Sequence, residues 1–295
     1  MNLLRSIKNL VAPQPQRRIR SEQQSRPEVL ETRTLLSNVT VSVKNGDLLV
    51  QGDKANNQIR LAGSSNGSVI VSGLNGTTIN GSMYSRTYRV QDDVRLAFNK
   101  GGNNKVLLEE VVADDLSYKG GHGRDQLGVR YGSLNDVSVK TSGGNDTVLF
   151  QTVQGIDSIN INTGHGRDDI GVAGISGNVT INSGHGNDGV LVVGGAQGSG
   201  NIKTGGGKDY LALYSTAFSR DVNVKTGHGS DEVWVTNTTI GGKLNVHGGG
   251  DSDALMIDGS SISSTSRKSI ESNSISNAFG KASDVSDRLT DIWNY

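Results

Sequence analysis

The stretch of sequence that decides the fold runs from Val179 to Val193 and reads V-T-I-N-S-G-H-G-N-D-G-V-L-V-V. Apolar and polar residues alternate at both ends of this stretch, and the glycine-rich turn between them ends at Asp188. Such alternation is typical of a β-strand with one buried face. The stretch therefore predicts a strand, a tight turn and a second strand.

The same pattern recurs along the chain at intervals of 20 to 22 residues, and an aspartate closes each turn. A fixed period in this range marks a solenoid, whose rungs gain a core only by stacking on one another. The sequence predicts an all-β chain folded as a right-handed parallel β-helix, because parallel crossovers favour that hand. The turn aspartates are Asp125, Asp146, Asp168, Asp188, Asp209, Asp231 and Asp253.

This period also assigns the inward positions of each rung. Residues two and four places after every turn aspartate are apolar, as in Val190 and Val192, which predicts a continuous core column. Leu191 and Gly171 fall one step out of phase and are predicted to face outward. A short third side is expected between the strand pairs, with inward residues Leu134, Ile156, Ile175, Ala196, Phe218 and Ile240.

Composition fits a thin core. The chain has 295 residues, of which 41 are Gly and 33% are hydrophobic. Basic and acidic residues number 29 each, so no basic stripe dominates and composition makes no electrostatic case for nucleic acid. The absence of cysteine excludes disulfides and Cys-based zinc sites.

Four regions are predicted. Residues 1–37 read as a disordered basic extension. Residues 38–100 read as an irregular β cap with the first rungs, which begins with a hairpin at Asn45-Gly46, and 101–258 read as the regular β-helix. Residues 259–295 read as a Ser-rich tail with a short helix that starts near Ser283 or Asp284 and caps the end of the solenoid. No segment approaches the ~18 apolar residues that a transmembrane helix needs.

The run Arg26–Ser37, R-P-E-V-L-E-T-R-T-L-L-S, resembles the N-terminal LE-x-R-x-LLS motif of planctomycete surface and extracellular proteins. In that family the motif is followed by repeats rich in glycine and aspartate. The resemblance implies export or placement at the cell surface, and it implies no activity. The preceding segment differs from a standard secretory signal because Arg5 and Lys8 interrupt its apolar residues.

Turns such as G-H-G-R-D at residues 164–168 and G-H-G-N-D at residues 184–188 resemble the G-G-x-G-x-D-x-U repeat of the RTX calcium β-roll. The resemblance implies calcium held by the seven turn aspartates together with turn carbonyls. It allows one calcium row at most, since these turns occur once per rung, whereas RTX loops come every nine residues on both edges of the roll.

A purely structural role for the same aspartates is the alternative. Carboxylates stacked ~4.8 Å apart repel by roughly 3.5 kcal/mol per pair at an effective dielectric near 20. Calcium, backbone N–H donors or neighbouring cations can each offset that repulsion. The cations Arg124, Arg167 and Lys208 each precede a turn aspartate and would also disfavour a divalent ion.

Other chemistry is weaker in the sequence. A column of histidines (His122, His165, His185 and His228) lies three residues before the aspartates, and His165 and His185 fall on adjacent rungs that a transition metal could bridge. A catalytic site needs one constellation that does not repeat. The unrepeated acidic clusters are Asp92-Asp93-Arg95 and Asp114-Asp115.

These observations favour a non-enzymatic extracellular or cell-surface protein with a structural or adhesive role that binds calcium in its turns. Its expected partner is a cell-surface polysaccharide or a matrix protein. The alternative is a carbohydrate-active β-helix enzyme of the polysaccharide lyase or hydrolase type, which rests on analogy between folds.

Overall fold

The computed structural model describes residues 36–270 and 278–293. All but the last two residues of the Arg26–Ser37 motif therefore lie outside the described residues, as do residues 1–35 of the predicted disordered extension. Ser37 opens the described fold, where its hydroxyl donates to the hydroxyl of Thr77 over 2.8 Å.

Almost every described element is a β-strand, and one helix follows near the C-terminus. That helix is α1 (Ala278–Thr290), and it continues into a 3₁₀ turn at Asp291–Trp293. The strands are β1 (Asn38–Lys44), β2 (Asp47–Gln51), β3 (Gln58–Gly63), β4 (Ser68–Gly73), β5 (Thr78–Ile79), β6 (Arg86–Arg89), β7 (Val94–Ala97), β8 (Lys105–Glu109), β9 (Leu116–Lys119), β10 (Gln126–Arg130), β11 (Asp136–Lys140), β12 (Thr147–Gln151), β13 (Ser158–His165), β14 (Asp169–Ala173), β15 (Ser176–His185), β16 (Gly189–Val193), β17 (Ala196–Gly206), β18 (Tyr210–Tyr214), β19 (Ala217–Phe218), β20 (Val222–His228), β21 (Glu232–Thr236), β22 (Thr239–Gly250), β23 (Ala254–Asp258) and β24 (Ser261–Lys268).

The strands form two long sheets that face each other across the core. The first sheet runs β5-β1-β2-β7-β9-β11-β13-β15-β17-β20-β22, with β19 and β24 also paired to it, and the second runs β6-β4-β3-β8-β10-β12-β14-β16-β18-β21-β23. From β2 and β3 onward, successive rungs pair in parallel. The predicted parallel β-solenoid is confirmed, with about 8 turns.

The inward columns are the predicted ones. Val190 and Val192 of β16 are fully buried and pair in register with β14 and β18. The third side is also confirmed at its large apolar positions, such as Ile156 and Phe218, which are buried. The stacked side chains make one continuous core cluster that extends from Val39 to Leu255.

The expectation for Ala196 was wrong by one residue. Ala196 pairs with Ala217, whereas Gln197 pairs with the inward Phe218 and is itself 2% exposed. The amide of Gln197 is satisfied there, since its Nε2 donates to the carbonyl of Ile175 over 3.0 Å. A buried glutamine thus fills the apolar position of this rung.

The N-terminal region adds antiparallel strands to the first rungs. β1 and β2 form the hairpin, and Asn45 and Gly46 at its turn both have positive φ (53° and 96°). β4 and β6 add two further antiparallel strands to the end of the second sheet. Parallel stacking crosses both predicted boundaries of the regular helix, because it starts at β2 and β3 and continues to β24.

The C-terminal helix does not cap the end of the solenoid, which corrects that expectation. It lies along the outer face of the second sheet, against β12, β14 and β16, and its 3₁₀ turn reaches β10. Glycines make room for it: an added Cβ would lie 2.8 Å from Leu289 at Gly171 and 3.0 Å from Trp293 at Gly128. The outward-facing Gly171 and the half-buried Leu191 are therefore on the covered side of the molecule.

Candidate functional site: the glycine corner and its aspartate column

The first sheet turns into the second through a glycine-rich corner, one turn per rung. We call this turn the glycine corner. In each rung it consists of the residues that follow the last inward apolar residue of the first-sheet strand and precede the turn aspartate. Asn57 and Asn104 occupy the place of that aspartate in the first two rungs. Its segments are 51–56, 97–103, 119–124, 140–145, 162–167, 182–187, 203–208, 225–230 and 247–252.

Glycine is required at this corner because the rungs approach each other closely. Gly186 has a φ of 133°, and a Cβ added there would clash with the carbonyl oxygen of Gly166 in the rung before it. Gly166 and Gly207 have the same relation to the rungs that precede them. The repeated glycines are therefore explained by stacking alone, without any ligand.

The turn aspartates form a buried column inside this corner. Each is between 0% and 3% exposed. One carboxylate oxygen, Oδ1, accepts a hydrogen bond from the backbone N–H of the equivalent residue one rung earlier: Asp168 N–H donates to Asp188 Oδ1 over 2.9 Å, and Asp188 N–H donates to Asp209 Oδ1 over 2.9 Å. The bonds continue without a break from Asn104 to Asp253.

The other oxygen, Oδ2, faces a parallel column of buried hydroxyls. At Asp125, Oδ2 accepts a hydrogen bond from Gly121 N–H over 2.8 Å. In the next rungs Oδ2 neighbours a hydroxyl whose proton is directed elsewhere: Thr141 Oγ1 donates to the carbonyl of Thr163 over 2.8 Å. Within the described residues, Oδ2 therefore has no hydrogen-bond donor at Asp146, Asp168, Asp188, Asp209 and Asp231.

Burial shifts the ionisation of this column. It raises the pKa of Asp146, Asp188 and Asp231 to about 7, because the charged form loses hydration that the backbone N–H groups and the adjacent hydroxyl groups only partly replace. Neighbouring carboxylates in the column raise the pKa further at the same three residues. At Asp125, Asp168 and Asp209 burial also raises the pKa. The column can therefore hold protons at neutral pH.

Asparagines begin the column, and they show which parts of the side chain the position uses. Asn104 Oδ1 accepts from Asn57 N–H over 3.2 Å, as the aspartate oxygens do. Its Nδ2 donates to the carbonyl of Gly102 and to Oδ1 of Asp125 over 3.1 and 2.8 Å. A neutral amide thus fits the same position in the corner.

The structure brings all seven predicted calcium ligands into one column, and calcium binding there stays a prediction. A calcium ion takes six to eight oxygen ligands. Each Oδ1 already accepts from a backbone N–H, which leaves the Oδ2 atoms, the neighbouring hydroxyls and the turn carbonyls as oxygens for an ion. Calcium would have to enter a closed corner rather than an open loop.

The histidines line the outside of the same corner and are exposed. The rings of His165 and His185 stack with centroids 4.9 Å apart and planes 12° from parallel. Ring nitrogens bind metals along directions in the ring plane, so two nearly parallel stacked rings do not aim at one ion. His122 and His228 each face a glycine in the following rung, Gly143 and Gly250.

The acidic clusters come together along the opposite edge of the first sheet. Asp93 Oδ1 accepts from Asp115 N–H over 3.2 Å, which places the two predicted clusters on adjacent rungs. Asp47, Asp92 and Asp93 have carboxylate oxygens within 4.8 Å of one another. Arg95 bonds to Asp93 over 2.8 Å and to Asp47 over 3.0 Å, so one cation already neutralises part of this group.

Sequence reasoning missed the polar contacts beneath the C-terminal helix. Arg288 of α1 makes a bidentate pair with Asp169 of β14, with nitrogen to oxygen distances of 2.6 and 2.7 Å. Trp293 lies 4.0 Å from the guanidinium carbon of Arg130. Arg130 and Arg60 both bond to the buried Glu109. Burial alone would raise the pKa of Glu109, but the bonds from the two arginines outweigh it and lower the pKa.

No family model matches the chain, and neither a curated protein nor a solved structure is significantly similar to it. Within the described ranges, no helix is both long enough and apolar enough to cross a bilayer. Any assignment of function therefore depends on the geometry described above.

Proposed function

We propose that this chain is a non-enzymatic structural or adhesive protein of the cell surface or extracellular space. The observation that carries the proposal is the outer face of the first sheet. From Ser117 onward its central side chains are polar, exposed or half-exposed, and one recurs at each rung. The central outward column consists of Ser117, Ser138, Asn160, Thr180, Asn201, Asn223, Asn245 and Ser266.

A repeating polar array suits binding to a repeating partner. Adjacent rungs lie ~4.8 Å apart, so each amide or hydroxyl has an equivalent at the next rung. Neighbouring amides even bond to each other: Asn245 Nδ2 donates to Asn223 Oδ1 over 2.9 Å. Such a surface offers the same contact many times, whereas catalysis requires one group that differs from its neighbours.

The aspartate column supports this proposal as a structural element. In our account its role is to join consecutive rungs through the bond from backbone N–H to Oδ1. Buried polar groups normally have hydrogen-bond partners, and Asn104 makes the same bond without a charge. The column then contributes to the stacking of the rungs. The calcium prediction is that the ion further stabilises a corner whose rungs the hydrogen bonds already join.

The alternative is a carbohydrate-active enzyme, and the edge at Asp92, Asp93 and Asp115 is where its site would lie. Burial and the neighbouring carboxylates raise the pKa of Asp92, which is a property that general acids share. The carboxylate of Asp93, however, already forms an ion pair with Arg95 and accepts a hydrogen bond from Asp115 N–H. The repeated array on the neighbouring face favours binding over turnover.

An activity screen distinguishes the two. The purified full chain is incubated with acidic and neutral polysaccharides, and newly formed reducing ends and unsaturated sugars are measured. We expect no turnover. Turnover that disappears in Asp93→Ala, but persists in the same-edge control Asp157→Ala, would establish the enzyme and overturn the proposal. Labelling of intact cells with an antibody against the solenoid tests the surface location.

A further inference from the structure

The net charge of zero conceals two opposite stripes that run along the solenoid. The nine segments of the glycine corner contain nine Lys or Arg residues, all five histidines and only two Asp. The edge at the other end of the first-sheet strands is acidic. The corner cations are Lys54, Lys100, Lys119, Arg124, Lys140, Arg167, Lys203, Lys208 and Lys225, and the acidic edge consists of Asp47, Asp92, Asp93, Asp114, Asp115, Asp136, Asp157 and Asp221.

The corner cations are presented to solvent. All nine are exposed, and within residues 36–270 and 278–293 none of them takes part in an ion pair. The turn aspartates lie beneath them, at most 3% exposed and bonded to backbone N–H groups, so a ligand approaching the corner meets the cations first. With rungs ~4.8 Å apart, the stripe from Lys54 to Lys225 extends over roughly 34 Å.

Polar neighbours surround the stripe. Where a rung lacks a lysine before the turn, an asparagine takes the place, as at Asn162 and Asn182. A groove of about 670 Å³ crosses the outer face of the first sheet. Lys203 and Lys225 line its corner end, Asn201 and Asn223 its middle, and Arg220 and Asp221 its far end. The nine segments contain one large aromatic residue, Phe98, which is fully buried.

We propose that the glycine corner binds a linear anionic polysaccharide that lies parallel to the solenoid axis. The carboxylates or sulfates of the polymer contact the lysines and arginines, and its hydroxyls contact the asparagines between them. Charge complementarity carries the choice of a polyanion. The absence of exposed Phe, Tyr or Trp from the corner segments favours a polysaccharide over single-stranded nucleic acid, whose bases stack on such rings. This inference rests on the proposed adhesive function and names the chemistry of its partner.

Binding of the full chain to polygalacturonate, with neutral dextran and a short DNA duplex as comparison probes, tests the proposal. The variant K119Q/K140Q/K203Q/K225Q removes four corner charges. The matched control K44Q/R86Q/R89Q/K243Q removes four exposed charges elsewhere, and melting curves verify that both variants fold. We expect polygalacturonate to bind and dextran not to bind. The corner variant should bind polygalacturonate at least about tenfold more weakly, and the control within about twofold of the wild type.

Three results would overturn the inference: no binding of polygalacturonate at low ionic strength, equal losses in the two variants, or tighter binding of the DNA duplex than of polygalacturonate at the same charge concentration. Failure here is distinguishable from failure of the proposed function. Absence of both binding and turnover contradicts the polyanion site and leaves a structural role. Turnover contradicts the non-enzymatic proposal even if the corner variant binds weakly.

Discussion

The outer faces of the two sheets arise from the same repeat and have opposite character. On the first sheet the outward column between the inward valines and isoleucines is serine, asparagine or threonine. On the second sheet the equivalent column is apolar or glycine, and α1 with its 3₁₀ turn lies on it from β10 to β16. The second-sheet column runs Leu107, Gly128, Leu149, Gly171, Leu191, Ala212, Trp234 and Met256.

The difference shows that one face of this solenoid is exposed to solvent and the other is covered by the chain itself. An apolar outer face would be a liability on a long stack of strands, and here the chain covers it with its own helix. The alternation of leucine and glycine forms the seat, since Leu149 flanks the space at Gly171 that Leu289 enters. The polar face, which has no such seat, is the one available to a partner.

The largest expected effect separates inward from outward positions. Val192 is fully buried between rungs, so Val192→Asp buries a charge without a partner and should cost several kcal/mol, enough to unfold the chain. Asn160→Asp, on the exposed first face, should change stability by less than about 0.5 kcal/mol. Leu191→Asp, beneath the helix, should fall between the two. Urea denaturation measures all three, and equal losses for Leu191→Asp and Val192→Asp would contradict the assigned columns.

Stability should fall as the pH rises from about 4 to about 7. The pKa of Asp146, Asp188 and Asp231 is raised from 3.8 to about 7 in the fold, so the folded chain holds protons that the unfolded chain releases. Their stabilising contribution is complete below about pH 4 and is lost as the pH rises to about 7. Each such shift corresponds to roughly 4 kcal/mol if it acts alone.

Urea denaturation of the wild type from pH 5 to pH 8 tests this slope. Asp188→Asn removes one titrating group and should flatten the profile, whereas Asp157→Asn, on the exposed acidic edge, should leave it unchanged. A wild-type stability that increases across this range would contradict the proton-holding column. The bonds from Arg60 and Arg130 lower the pKa of Glu109, so this group favours stability at higher pH. Its contribution is already complete above the ordinary pKa of glutamate.

Removal of Arg288 should have an intermediate effect. Arg288→Gln leaves Asp169, which is 6% exposed, without its bidentate partner at the seat of the helix. A loss of roughly 2 to 3 kcal/mol is expected, most of it from the unpaired carboxylate. Asp169→Asn in the same background should restore part of it. No recovery in that double variant would show that the pair does not hold the helix.

The smallest effect concerns the glycine seat. Gly171→Ala places a Cβ 2.8 Å from Leu289 and 2.9 Å from Leu149, so these two side chains must shift, at a cost of about 1 kcal/mol. Combined with Leu289→Ala, which vacates the space, the cost should be less than the sum of the two single changes. Strict additivity would mean that the helix does not rest on this glycine.

The sequence predicted the stack well because it repeats: the inward pair Leu127 and Val129 has six equivalents after the other turn aspartates. It failed where one rung differs, since nothing in a single sequence showed that Gln197 pairs with Phe218 and is buried. The position of the helix was missed because the outward Leu191 alone suggests a solvent-exposed residue. Gly171 and Gly128 leave the space that Leu289 and Trp293 occupy, and the sequence alone does not show this. The charge stripes could not be seen in the overall composition, because stacking aligns residues that lie about 21 positions apart in the sequence.

For the candidate site, the sequence located the aspartate column but could not determine its exposure. A carboxylate after a glycine turn fits both an open calcium loop and a closed corner. What decides between them is the direction of the neighbouring backbone N–H, which depends on the rung before. Asn57 and Asn104, at the same position as the aspartates, were the one clue that a neutral side chain is accepted.

The central claim is that the aspartate column stacks the rungs and needs no ion. Thermal melting of the wild type and of Asp188→Asn at pH 8, each with excess calcium and with chelator, tests it most directly. Asparagine keeps the oxygen that accepts from Asp168 N–H and removes the buried charge, as Asn104 does in its own rung. The account predicts that Asp188→Asn melts at the same or a higher temperature than the wild type, with no dependence on calcium in either. A wild type that melts higher with calcium, and an Asp188→Asn variant that loses this gain, would contradict it.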